Sequence, residues 1–389
     1  MREIWRELKR LLEHAEPGAL VTVIRTEGSA YQREGTKMLF RATGDAVGTV
    51  SGGCVEADLY EHCRAAINRG EPQIVSYDAG GMMDTVFGLG SGCLGTIELL
   101  IEPSSQWGTP DARSLLEEIC KRGEEGERFA VVTILREAER LRTPIERLLV
   151  DDRGSVVCGV SDPLLRTAAI ESARRALGEQ ERRPSRNVEL GAAGRRVDAL
   201  IDVIVPAQQL LVFGAGEDAR PLARIAAEVG MEVTVIDWRR ELLERARFPE
   251  GVKLACVRPE EFPGPVSLRG RPAIVLMSHH YVADRAVVER IVAVGDPFAY
   301  VGILGPRSRT SRLLAELETE RPAAIHEALP SIRTPAGLDL GADTPAEIAL
   351  AIVSEILATT KDRGGGPLTQ LTGQISGVDD HARHPGARS

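Results

Sequence analysis

No two of the six cysteines, Cys54, Cys63, Cys93, Cys120, Cys158 and Cys256, form a C-x-x-C pair, so the zinc-ribbon pattern is absent. Basic residues fall short of acidic ones, 48 against 57. The net charge of −9 argues against nucleic acid as a partner, because its phosphates would be repelled. No apolar run reaches membrane-spanning length, so no membrane is expected. The opening residues, MREIWRELKRLLEH, lack the uncharged core of a signal peptide. Charges run throughout, and Ile4, Trp5, Leu8, Leu11 and Leu12 make one helical face. These absences together predict a cytoplasmic chain with reduced thiols. Aromatic residues are few, 4%, but the hydrophobic fraction of 43% is that of a globular protein, and 389 residues suffice for two or three domains.

What is present is organised around Leu210 to Arg239, LLVFGAGEDARPLARIAAEVGMEVTVIDWR. An uninterrupted apolar run suits a strand buried on both faces of a parallel sheet. Gly214 and Gly216 follow at once; Leu222, Ile225, Ala226 and Val229 then fall at helical spacing, and Gly230 stops the helix. A second strand ends at Asp237. In this context a glycine pattern predicts a dinucleotide-type fold. The first glycine makes the turn, the second lets a diphosphate approach, and the helix N-terminus offers free N–H groups. Asp237 stands where the acid that binds a ribose belongs, and Ala219 takes the place of the third glycine. The alternative is a Rossmann core whose crevice holds some other phosphorylated ligand.

The rest of the second half repeats strand and helix, with strands at Val252–Val257, Ala273–Met277 and Phe298–Leu304, which predicts a doubly wound parallel sheet. Asp343-Thr344-Pro345-Ala346-Glu347 reads as the start of a final helix. The first half predicts a mixed α/β domain whose strands are separated by helices and by a hairpin turning at Asp152-Arg153-Gly154. The expected division is 1–205, 206–360 and a polar, disordered tail over 361–389.

Several constellations could carry chemistry. Ser51-Gly52-Gly53-Cys54 joins a strand to a helix and reads as a second anion cradle. Cys54 in the first turn would be pushed towards thiolate, with Glu56 and Asp58 opposing; the alternative is a tight turn with a packed cysteine. Cys93 sits in GLGSGCLG, where four glycines let backbone approach a ligand and the thiol could serve as a soft metal or sulfur ligand. The loop Gly28–Met38 holds Ser29, Tyr31, Arg33 and Lys37, and suits phosphate or a polar heterocycle as well as it suits solvent. His279 and His280 follow one strand of the second domain, and Arg307 and Arg309 follow another. All four lie at strand ends where open α/β sheets bind ligands.

The segments GSAYQREGTKML, VGTVSGGCVEADL, GLGSGCLGTIELLIEP, the 210–239 stretch, LMSHHYVADRAVVERI, YVGILGPRSRTSRLL and PAGLDLGADTPAEIALAIVSEI follow one another in an order that resembles the XdhC/CoxI family, accessory proteins of xanthine and carbon monoxide dehydrogenases. The resemblance covers residues 18 to 360 and is thin between 104 and 200. It implies a chaperone that binds the molybdenum cofactor, as molybdopterin or its cytosine dinucleotide form. It further implies help with sulfuration by a cysteine desulfurase and transfer to an apo molybdenum hydroxylase, and a protein that shields a labile cofactor is expected to form a homodimer. Cys54 and Cys93 are then the candidates for contacting the metal. The competing expectation is an NAD(P)-dependent oxidoreductase built on Gly214, Gly216 and Asp237.

Overall fold

The computed structural model describes the chain apart from residues 29–31, 54, 79–94, 138–139, 180–184, 193, 295–297, 321–331 and 371–389. The chain divides into two compact units, Met1–Pro206 with the described residues from Leu368 onwards, and Ala207–Pro367. The expected tail lies outside the described residues from position 371.

In the first unit, α1 (Arg2–His14) leads into β1 (Gly18–Gly28), β2 (Lys37–Arg41), β3 (Ala46–Gly48), α2 (Glu56–Arg69), β4 (Gln73–Asp78) and β5 (Gly95–Pro103). These strands form an antiparallel sheet ordered β3-β2-β1-β5-β4. Next come α3 (Pro110–Glu125), β6 (Phe129–Glu137), β7 (Arg140–Leu141), β8 (Arg147–Asp151), β9 (Val156–Cys158), α4 (Pro163–Gly178), β10 (Arg186–Ala192) and β11 (Arg195–Ile204). They build a second antiparallel sheet ordered β10-β11-β6-β8-β9, with β7 on β6. Helix starts obey local chemistry. Thr109 accepts the Ala112 N–H ahead of Pro110, and Asp162 accepts from Leu164 and Leu165 ahead of Pro163. The helix α2 covers one face of the first sheet through Leu59, Cys63 and Ala66. Leu20 and Leu39 of that sheet share a core with α1, α3 and the Phe129, Val131 and Leu149 side chains of the second sheet.

Two buried ion pairs cross from sheet to sheet in this unit. Lys37 on β2 meets Asp202 on β11, and Arg147 on β8 holds Glu102 on β5 through both guanidinium arms. Trp107 donates its indole N–H to the same Glu102 at 3.1 Å. Lys37, Asp202 and Arg147 line a cavity of about 30 Å³ with Thr22 and Thr133, room enough for water.

The second unit runs β12 (Gln209–Phe213), α5 (Ala219–Glu228), β13 (Glu232–Asp237), β14 (Lys253–Cys256), β15 (Ala273–Leu276), α6 (Tyr281–Val294), β16 (Tyr300–Ile303), α7 (Arg307–Glu320), β17 (Ile332–Arg333) and α8 (Pro345–Thr360). The strands pair in parallel in the order β14-β13-β12-β15-β16-β17. Leu210 and Val212 pack under α5 and α8, while Leu211 and Phe213 pack under α6 and α7. This is the doubly wound Rossmann arrangement. The chain reverses its winding between β12 and β15, which opens a crevice beyond the carboxyl ends of these strands. Among the described residues, three short or edge strands were not visible in the sequence, β7, β10 and β17. Where a helix would ordinarily join β13 to β14 there are short 3₁₀ turns at Arg240–Leu242 and Arg245–Arg247.

No helix among the described residues is long and apolar enough to cross a membrane.

Candidate functional site

In the second unit the crevice is built by the turns that leave β12, β13 and β15. Gly214 takes φ +114°, and a Cβ there would lie 2.6 Å from the Met277 carbonyl group and the Ser278 nitrogen. The first glycine is therefore demanded by the neighbouring strand end rather than by a ligand. Gly216 is different: a Cβ would meet only the Asp218 carboxylate, at 2.8 Å. Gly216 faces the start of α5, which begins at the buried Ala219.

The helix terminus itself is open. Asp218 occupies the N-cap position of α5, yet its side chain makes no cap hydrogen bond. It turns instead to His279, whose Nε2 lies 2.6 Å from the Asp218 carboxylate. His279 reaches it from a left-handed backbone conformation, φ +57°, and is 62% exposed. The first N–H groups of a helix have no intrahelical acceptor. In α5 those of Ala219 and Arg220 receive no side-chain cap, while Pro221 carries no N–H; with the dipole behind them the first two suit an anion.

His280 has another role. Its Nδ1 accepts the Ala283 N–H at 3.2 Å and so caps α6, and its ring meets Trp238 edge-on at 5.9 Å. Ser278 donates to Asp284 at 2.5 Å, and Arg309 pairs with the other oxygen of Asp284 while donating to the Leu304 carbonyl. Burial pushes the Asp284 carboxyl up, and the Ser278 and Arg309 contacts only partly offset it. Ser278 and Asp284 are buried and Arg309 half-buried, and together they tie the ends of β15 and β16. Arg307 opens α7 on the exposed surface.

Asp237 is wholly buried, and its carboxylate is already engaged. The Ala215 N–H donates to it at 2.7 Å, the Arg239 N–H at 2.8 Å, and the Arg239 guanidinium at 3.0 and 2.9 Å. A carboxylate free to receive a ribose, as the spacing suggested, is not what the fold presents. Arg239, two residues on, closes back over it, and its guanidinium lies 4.5 Å above the Trp238 ring. Asp218 and Arg239 are the residues that sequence reading missed here. The only signal for either was proximity to the glycine turn.

In the first unit the turn before α2 also differs from the phosphate cradle that its glycines suggested. Glu56 reaches back to Ser51 and Thr49, and Ser51 in turn accepts the Gly53 N–H. Burial pushes the Glu56 carboxyl up, but hydrogen bonds from Ser51, Thr49 and the Glu56 and Val55 N–H groups outweigh it and hold it below its ordinary value. The anion at this helix terminus is the chain's own. Gly52 and Gly53 are exposed, and nothing lies within 4 Å of a Cβ on Gly53. Cys54 and Cys93 lie outside the described residues, as do Ser29 and Tyr31 of the polar loop. Lys37 from the same loop is committed to Asp202. Among the described residues no group of three or more His, Cys, Asp or Glu is placed to hold a metal ion.

Fold and site define a two-unit protein whose second unit is a Rossmann domain with a helix terminus that its N-cap side chain leaves uncapped. Residues 210–356 match the XdhC Rossmann domain, and residues 11–78 match the XdhC and CoxI family. The chain belongs to the XdhC and CoxI family, accessory proteins of xanthine dehydrogenase-type enzymes. It is similar to a Bacillus subtilis protein described as a probable xanthine dehydrogenase subunit, with 29% identity over 354 residues that span 91% of this chain and 96% of that one. It is also similar to the uncharacterized protein YqeB of Escherichia coli, 28% identical over 65% of this chain and 47% of that protein. A crystal structure described as a xanthine dehydrogenase from Bacillus halodurans superposes with a TM-score of 0.72 at 28% identity, covering 92% of this chain and 96% of that one.

Proposed function

We propose that the protein is a molybdenum cofactor chaperone that receives the cofactor, supports its sulfuration by a cysteine desulfurase and delivers it to an apo molybdenum hydroxylase of the xanthine dehydrogenase type. Family membership supports the accessory role and the kind of client. The observation that carries the binding step is the uncapped N-terminus of α5. The cofactor is a phosphorylated pterin dithiolene, and its phosphate end fits this terminus, because the residue that would cap it is held away by His279. Cys54 and Cys93 are the candidates for contacting the metal. Once in the client, the cofactor supplies the redox chemistry; this chain's residues bind, orient and shield. A homodimer working in the cytoplasm completes the reading.

The competing oxidoreductase reading loses support in its NAD(H) form at Asp237, whose oxygens are taken by Ala215 and Arg239. The two are separated by expressing the chain in cells that make the cofactor and assaying the purified protein for molybdenum and for oxidised-pterin fluorescence. Wild type should carry both. Replacing Cys54→Ser or Cys93→Ser should empty the metal if that thiol contacts it. Wild type free of metal and pterin, with turnover of a nicotinamide nucleotide, would sink the chaperone.

A further inference from the structure

A nucleotide ribose docks on a Rossmann domain by donating its two hydroxyls to an acid at the end of the second strand. A carboxylate offers about four lone-pair directions. Asp237 has filled them. One oxygen accepts the Arg239 N–H at 2.8 Å and Nε at 3.0 Å, and the other accepts the Ala215 N–H at 2.7 Å and the Arg239 Nη2 at 2.9 Å. The side chain is fully buried, so no direction remains for a ligand to approach. What the crevice meets instead is Arg239, whose side chain is 34% exposed and lies against Trp238. Two of its five N–H groups are spent on Asp237. The other three form a planar fork of the kind that takes phosphate.

We infer that the Rossmann unit selects a ligand presenting a phosphomonoester at the end of β13 and rejects one presenting a free ribose diol there. Asp237 is then a positioning residue: it fixes the plane of the Arg239 guanidinium and contacts no ligand itself. Glu241, on the exposed turn beyond, is the acidic neighbour of this cation. As an exposed group it is screened by salt far more than the buried Asp237.

The probes are NADPH and NADH, titrated into the full-length protein at physiological ionic strength and followed by nucleotide fluorescence, with 2′,5′-ADP and ADP as competitors. NADPH should bind roughly tenfold more tightly than NADH, the scale of one charge-assisted contact, and 2′,5′-ADP should displace it where ADP does not. Arg239→Gln leaves an amide donor beside Asp237 but removes the charge, and Arg239→Gln with Asp237→Asn relieves the unpaired buried carboxylate should the single variant not fold; in either the preference should shrink below roughly threefold. Equal or tighter binding of NADH would overturn the inference. So would a preference that survives Arg239→Gln, or failure of both nucleotides to bind below millimolar concentration. None of these outcomes depends on the pterin. A protein that carries molybdenum cofactor yet shows no NADPH preference overturns this inference and leaves the chaperone standing.

Discussion

The two glycines after β12 look equivalent in a motif but should behave oppositely on mutation. In Gly214→Ala the new methyl would lie 2.6 Å from the Met277 carbonyl carbon and oxygen and from the Ser278 nitrogen. None of these is a flexible side-chain end. The two strand ends are also laced in place, because Gly214 donates to Ile236 at 2.8 Å and Met277 donates to Phe213 at 2.8 Å. Overpacking against fixed backbone costs ~1–3 kcal/mol, and the left-handed φ of +114° adds a strain of similar size, for a sum of roughly 2–6 kcal/mol. With a urea m-value of about 2 kcal/mol/M, the midpoint for the second unit should drop by about 1–3 M. Gly216→Ala meets only the movable Asp218 carboxylate at a backbone angle any residue adopts, so its cost should stay below about 1 kcal/mol while anion binding at α5 falls. Hydrogen exchange read by mass spectrometry assigns the loss to a unit. Amides of β12, β13 and β15 should lose protection in Gly214→Ala, and those of β1 to β11 should not. A Gly214→Ala protein within about 0.5 kcal/mol of wild type would refute the reasoning, because surface substitutions alone move stability that much.

In the first unit, Lys37→Met strands the Asp202 carboxylate in the core and should cost about 3–5 kcal/mol by urea denaturation, while Lys37→Met with Asp202→Leu should recover much of it. Burial pushes the Cys63 and Cys120 thiols up to about 12, so both should resist iodoacetamide at pH 8 while the exposed Cys158 and Cys256 react, as peptide mapping would show. Because the unfolded thiols ionise near 9 and the folded ones only near 12, the stability these cysteines contribute should fall as pH rises through that window. The Glu56 carboxyl is held below its ordinary 4.5, so its contribution is complete above that value and lost as pH falls through the folded pKa. Glu56→Gln should therefore cost about 1 kcal/mol at neutral pH and progressively less on acidification, measured by thermal melts.

The Rossmann unit was legible because its strands are buried on both faces and read as apolar runs such as Leu210–Phe213, punctuated by glycine. The last helix was legible through Thr344, Pro345 and Glu347, which form a capping box. The edge strand β10 was not: RNVELGA alternates weakly, and among its described side chains Leu190 is the buried hydrophobe. Antiparallel pairing between strands far apart in sequence, such as β1 with β5, leaves no local mark. In the site, residue types were legible but occupancy was not. A sequence shows that an acid follows a strand; it does not show that Arg239 folds back to saturate it. Nor does the spacing of Ser51 and Glu56, five residues rather than the three of a capping box, announce that the carboxylate fills its own helix end.

The pairs Lys37–Asp202 and Arg147–Glu102 decide where this chain can be cut. Each joins a residue from the first 103 positions to one after 140, so a fragment ending after β5 would carry a lysine and a glutamate into a core without their counter-charges. Expressing the segment that the XdhC and CoxI family description matches, residues 11–78, would therefore isolate a motif and not a folding unit. The smallest N-terminal piece with both pairs complete extends through Asp202, to the brink of the linker before β12. Binding studies on separated halves should place the break there.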